Sequence, residues 1–122
     1  MILSREAILG NVDIKTETVS CPAWGGDVII RGLTAGERDK YEQSLYKTRQ
    51  NGRNFEVIPQ KENIRAKLVQ LCAVDESGKR LFEPGDIESL SARNASTMDK
   101  LYEVAQRLSG LGTADMDELE KN

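Results

Sequence analysis

Trp24-Gly-Gly-Asp-Val-Ile-Ile-Arg-Gly-Leu-Thr-Ala-Gly-Glu-Arg-Asp-Lys-Tyr-Glu42 holds a turn, a strand, a helix cap and a helix start in nineteen residues. Gly25-Gly26 supplies the backbone freedom a tight turn needs. Val28-Ile29-Ile30 is a β-branched run and reads as a strand. Thr34 and Glu37 have capping-box spacing: the hydroxyl accepts from the Glu37 amide and the carboxylate from the Thr34 amide. A helix is expected from Ala35 to about residue 49. Its apolar face is thin, with Tyr41, Leu45 and little else besides Tyr46, so it buries weakly in a monomer.

Toward the N-terminus, Ser4 and Glu6 suit a short helical turn over 4–9. Val12, Ile14, Thr16 and Thr18 then alternate with Asp13, Lys15, Glu17 and Val19, which predicts a half-buried strand over 11–19. Cys21-Pro22 ends it, because proline cannot donate to a ladder. The two strands read as an antiparallel hairpin whose register stays open, since its loop exceeds two residues.

Toward the C-terminus, residues 50–59 read as a polar loop carrying Phe55, Val57 and Ile58. Ile64, Leu68, Leu71 and Cys72 give a helical stripe over about 60–74, the expected central core element. Glu76-Ser77-Gly78-Lys79 marks a turn, a minimal hairpin or a fold-back of Leu81 and Phe82 onto the core. Asp86 caps a short helix over 86–91, with Ile87 and Leu90 facing in. A long helix over 94–110 comes next, capped by Asn94 and closed by Gly110 or Gly112. Thr113 is a candidate cap for one more turn through Glu120. The expected fold is α+β: a predominantly helical single domain, residues 1–111, with a small N-terminal antiparallel β-hairpin and an acidic tail, residues 112–122.

Composition narrows the function. A chain of 122 residues suits one compact domain. It has no histidine, hence neither the usual neutral-pH base nor the commonest metal ligand. No phosphate-cradling, nucleophile-elbow or zinc-protease motif occurs. Asp75 and Glu76 flank a Ser-Gly turn and read as solvated, without the spacing of a calcium loop. Cys21 and Cys72 match no zinc or redox spacing and read as buried thiols, although their separation leaves a disulfide open. An enzyme is therefore not expected, and neither cofactor nor metal.

The net charge is -3, and residues 113–122 hold four acidic side chains against Lys121, so the other 112 residues sum to zero. A neutral body lacks the basic footprint of nucleic-acid binding. No apolar run is long enough to span a membrane, and no signal peptide starts the chain, so a cytoplasmic protein is expected.

The candidate partner-binding residues are Trp24, Tyr41, Leu45, Tyr46, Phe55, Ile58, Met116 and Leu119. Trp24 lies at a hairpin tip, where it either folds over the sheet edge or stays out as an anchor. Tyr41 and Tyr46 lie five positions apart, about 140° round a helix, so both cannot share one narrow stripe. Phe55 and Ile58 stand on a polar loop. Met116 and Leu119 are the apolar residues of the acidic tail, which is otherwise a solvated end.

The order W-G-G-D-V-I-I-R-G-L-T-A-G-E-R-D-K-Y-E, then L-V-Q-L-C-A-V-D-E-S-G-K-R-L-F, D-I-E-S-L-S and M-D-K-L-Y-E-V-A-Q-R-L-S-G-L, resembles the tail assembly chaperones of long-tailed bacteriophages and prophages. The resemblance covers roughly residues 10–112 and rests on element order and on phrases such as L-T-A-G-E-R, none of them catalytic. It implies a non-enzymatic chaperone that binds the tape measure protein, keeps it soluble and helps recruit tail tube protein. It further implies self-association, work in the host bacterial cytoplasm and absence from the mature virion. Many such chaperones also have a frameshifted longer form, and this chain looks like the short one. The alternatives are a structural head–tail connector or tail terminator component and, behind it, a small nucleic-acid-binding regulator.

Overall fold

The computed structural model describes residues 1–111, so the expectations for the tail, including Met116 and Leu119, lie outside the described residues. Among those residues the chain runs α1 (Arg5–Leu9), β1 (Thr16–Cys21), β2 (Gly26–Arg31), α2 (Ala35–Ser44), β3 (Tyr46–Asn51), β4 (Asn54–Pro59), α3 (Ile64–Cys72), β5 (Ala73–Val74), α4 (Ile87–Ser91) and α5 (Ala95–Leu108). Short 3-10 turns at Pro22–Trp24 and Pro84–Asp86 complete it.

The N-terminal hairpin is present, and its loop is ordered by local sequence. Pro22 starts the 3-10 turn, and Gly25 closes it at φ +80°, with its N–H on the Pro22 carbonyl at 3.1 Å. Val19 lies opposite Val28 and Cys21 opposite Gly26. The strand begins later than expected, and its buried face is the one that carries Val19 and Cys21. Val19 and Cys21 are buried, Thr16 and Thr18 face out, and Val12 is fully outside the sheet. A period of two has two solutions, and cover on one side chooses between them. That cover comes from α5, against which β1 packs. β5 pairs with β2 on its other side, Ile30 opposite Ala73, giving a three-stranded antiparallel sheet in the order β1-β2-β5.

The expected fold needs a correction: the domain is not predominantly helical with one hairpin. It is α+β with two antiparallel sheets. The capping box starts α2 as expected, with Thr34 Oγ1 accepting from Glu37 N at 3.2 Å and Thr34 N donating to Glu37 Oε1 at 3.0 Å. The helix stops at Ser44 rather than near 49. Residues 46–59, expected as the helix end and a loop, form a second hairpin of six cross-strand pairs. Asn51-Gly52-Arg53-Asn54 is its tip, and Gly52 has φ +66°. An Asn-Gly pair between β-branched and aromatic residues is a strong hairpin signal, and here it outweighs the helical spacing of Tyr41 and Leu45.

The core lies between the inner face of the three-stranded sheet and the α3–α5 pair. Val19, Cys21 and Ile30 meet Ala66, Leu68, Val69 and Cys72 of α3 and Met98, Leu101 and Ala105 of α5. Both cysteines are buried free thiols. The Val74–Phe82 segment folds back as a minimal hairpin, with Leu81 N on the Ala73 carbonyl at 3.0 Å; Phe82 packs on the core and Leu81 stays exposed. Gly110 ends α5 at φ +74°, and Leu111 returns into the core. At Gly32 the chain passes so close to the Leu108 carbonyl that a Cβ would collide with it.

Candidate partner-binding surface

The polar clusters of the domain hold elements together. Glu37 bonds Arg31 of β2 at 2.6 Å and also Arg80, which ties α2 to the sheet and to the 74–82 turn. Burial opposes the charged form of Glu37, yet the Thr34 N–H and the two guanidinium groups outweigh it and hold the carboxyl at about 2. Asp75 accepts from Ser77 N, Ser77 Oγ and Lys79 N, so it is a turn organiser, its pKa lowered by those bonds. Arg107 reaches Glu17 at 2.8 Å and joins α5 to β1. Cys72 is pushed up to about 12 by burial, against a weak contact with Ser109, and Cys21 is also raised by burial. Neither is an activated thiol. Among the described residues no group of three His, Cys, Asp or Glu side chains is placed to hold a metal ion, and no helix is long and apolar enough to cross a membrane.

Among the described residues, two segments carry clusters of exposed apolar side chains. The first is the β3–β4 hairpin, the β-arm. Its register puts Tyr46 opposite Pro59, Thr48 opposite Val57 and Gln50 opposite Phe55 on one face. The other face carries Lys47 opposite Ile58, Arg49 opposite Glu56, and Asn51 opposite Asn54. The ribbon is therefore two-sided, apolar on one face and charged on the other. Phe55 is 73% exposed and Val57 63%. The arm is held to the domain at its base, where α2 leads into it and Gln60 N bonds the Leu45 carbonyl.

The second is the N-terminal segment. Ser4 caps α1 through Ala7 N at 3.1 Å, but none of the five residues of α1 is buried. Met1, Ile2, Leu3, Ile8, Leu9 and Val12 are all exposed. Sequence reasoning missed these residues as a surface. The signal was their density, six large apolar side chains in twelve residues, with no matching stripe on a helix long enough to bury them.

The candidate residues divide sharply. Phe55 is on the apolar face of the arm, and Ile58 is half-buried on the opposite one. Trp24 is 36% exposed on the 3-10 turn, between its two readings. Tyr46 is half-buried at the root of the arm and packs on the core. Tyr41 and Leu45 are 2% and 6% exposed, inside the core cluster, so the thin face of α2 is covered and presents no free surface. Burial raises the Tyr41 hydroxyl well above the usual phenol value, with Tyr102 beside it adding to the shift. The thin face is enough because α2 is short and brings only this edge onto α3. A groove of about 360 Å³ between α3 and α5, lined by Ile64, Arg65, Arg93 and Met98 among others, lies apart from these residues.

Among the described residues, the domain is closed round its core, tied by structural ion pairs and carries two exposed apolar segments. No curated protein and no solved structure matches the chain. The family model for phage tail assembly chaperones matches residues 4–122. The chain belongs to the phage tail assembly chaperone family, and its role is that of a chaperone in tail assembly.

Proposed function

We propose that this chaperone is a non-enzymatic holder of the tape measure protein: it binds that long helical protein, keeps it soluble and helps recruit tail tube subunits. The observation that carries this reading is the bare apolar face of the β-arm, with Phe55 and Val57 outside a core that is otherwise closed. Apolar side chains on a narrow ribbon give a reversible grip, because each contributes about 1.5–3 kcal/mol when fully buried and little of that when only partly covered. The N-terminal residues Ile2, Leu3, Ile8 and Leu9 offer a second contact of the same chemistry. Several copies along one client would suit self-association through one of these segments. Such a protein works in the host bacterial cytoplasm and is left out of the finished virion.

Co-expression tests the reading. The full chain should raise the soluble yield of its phage's tape measure protein and should be pulled down with it. No gain in yield and no pull-down overturn the proposal. Mass spectrometry of purified particles checks the location: the protein should be absent, and stoichiometric presence would favour a structural virion component.

A further inference from the structure

Residues 1–111 carry as many basic as acidic side chains, and one face departs from that balance. The groove between α3 and α5 is lined by Lys61, Arg65 and Arg93 against the carboxylate of Asp99. Arg65 is committed within the domain: it pairs with Asp99 and lies 5.7 Å over the Tyr102 ring. The other two cations are not neutralised. Among the described residues the Lys61 ammonium has no ion-pair partner. Arg93 gives its Nε N–H to the Ser89 carbonyl at 3.2 Å and, among the same residues, pairs with no carboxylate.

The floor of the groove is apolar. Ala66 and Met98 are buried at its base, and Ile64 is half-buried beside them. Its volume of about 360 Å³ lies at the lower end of what binding clefts enclose, enough for a few side chains. The start of α3 adds to the positive field. Asn63 Oδ1 accepts from Ser91 Oγ at 2.6 Å and makes no cap on its own helix, so the positive end of α3 opens here. Cations round an apolar floor fit a carboxylate that stands next to an apolar side chain. A nucleic-acid backbone would need a longer basic track than two free cations on a neutral body. The groove begins one residue past Gln60, whose N–H ties the root of the β-arm, and it shares no lining residue with the arm.

We propose that this groove is a docking face of its own, separate from the β-arm, and that it takes an acidic segment of a phage tail protein. Lys61 and Arg93 hold an Asp or Glu carboxylate of that segment, and a neighbouring apolar side chain sits against Ile64 and the edge of Met98. Family membership supplies the class of partner, and the lining supplies the kind of segment. The groove keeps this role whether or not the arm grips the client.

Binding of overlapping peptides from its phage's tape measure and tail tube proteins tests it. The full chain is compared with two variants: Lys61→Glu with Arg93→Glu, and Phe55→Ser with Val57→Ser. All four side chains are exposed, and equal urea midpoints check that each variant is folded. Lys61→Gln with Arg93→Gln takes the place of the charge reversal if its midpoint falls. The peptides that bind the native chain should include acidic ones with an adjacent apolar residue. For these, charge reversal should weaken binding about tenfold or more and the arm variant less than about twofold. Binding should also weaken as salt rises. The proposal is overturned if no acidic peptide binds, if the charge-reversed chain binds them as tightly as the native one, or if a short DNA duplex competes with them at equal concentration. A loss produced by the arm variant alone also overturns it and leaves the arm as the docking face, so the two readings fail separately.

Discussion

The two long hairpins of this chain are equal in length, six paired residues per strand, and opposite in fate. β1–β2 gains a third strand on one edge and has α3 and α5 across one face, and it buries Val19, Cys21 and Ile30. Among the described residues β3–β4 has no third strand and leaves Phe55 and Val57 exposed. The difference lies in which later segment returns to each hairpin. Ala73–Val74 comes directly off α3 and returns to β2, while Pro59 and Gln60 lead away from the arm into α3. One hairpin is built into the core, and the other keeps apolar side chains exposed.

The sharpest way to break this comparison is to remove equivalent side chains from the two regions. Leu68→Ala and Leu101→Ala should each lower stability by about 2–5 kcal/mol in urea denaturation, because both side chains are fully buried in the core. Phe55→Ala should change it by less than about 0.5 kcal/mol, as expected for an exposed site. Comparable losses at the two places would mean that the arm is part of the folded core. Gly32→Ala ranks next, at about 1–3 kcal/mol, since the new methyl meets the Leu108 carbonyl and backbone must shift.

Glu37 sharpens the comparison by pH. Its carboxyl titrates at about 2 in the folded chain against about 4.3 when unfolded. Its folded value is depressed, so its stabilisation is full above about pH 4.5 and is lost as pH falls toward 2. Glu37→Gln should therefore cost about 1–3 kcal/mol at about pH 6 and almost nothing near pH 2, read from urea midpoints across that range. A constant difference at all pH values would show that the Arg31–Glu37–Arg80 contact does not stabilise through charge. The smallest effect concerns the thiols. Cys21 and Cys72 are buried and raised in pKa, so a thiol reagent should label them only as the core opens, and labelling that is slow in water and speeds up steadily as urea lowers the opening free energy is the expected result.

Much of the core was legible in the sequence. The Thr34–Glu37 capping box, the Ile64–Cys72 stripe and the Asn94-capped helix each rest on local rules that tertiary contacts reinforce. The β-arm was not legible, because Tyr41 and Leu45 extended a helical spacing past Ser44 and masked the turn signal of Asn51-Gly52. The phase of β1 was open in the sequence for another reason: alternation names two faces, and only α5 says which is inside. The candidate surface was half legible. Phe55 stood out as an apolar residue in a polar stretch. Tyr41 and Leu45 looked unpartnered only because α3, which covers them, comes from further along the chain.

The most direct test joins the arm to the client. The full chain and its Phe55→Ser/Val57→Ser variant are each co-expressed with the tape measure protein, and the soluble client is measured beside the urea midpoint of each chaperone. The expected result is that the variant keeps its midpoint and loses most of the soluble client. A variant that keeps its midpoint and still holds the client as well as the native chain would contradict the assignment of the β-arm as the docking surface.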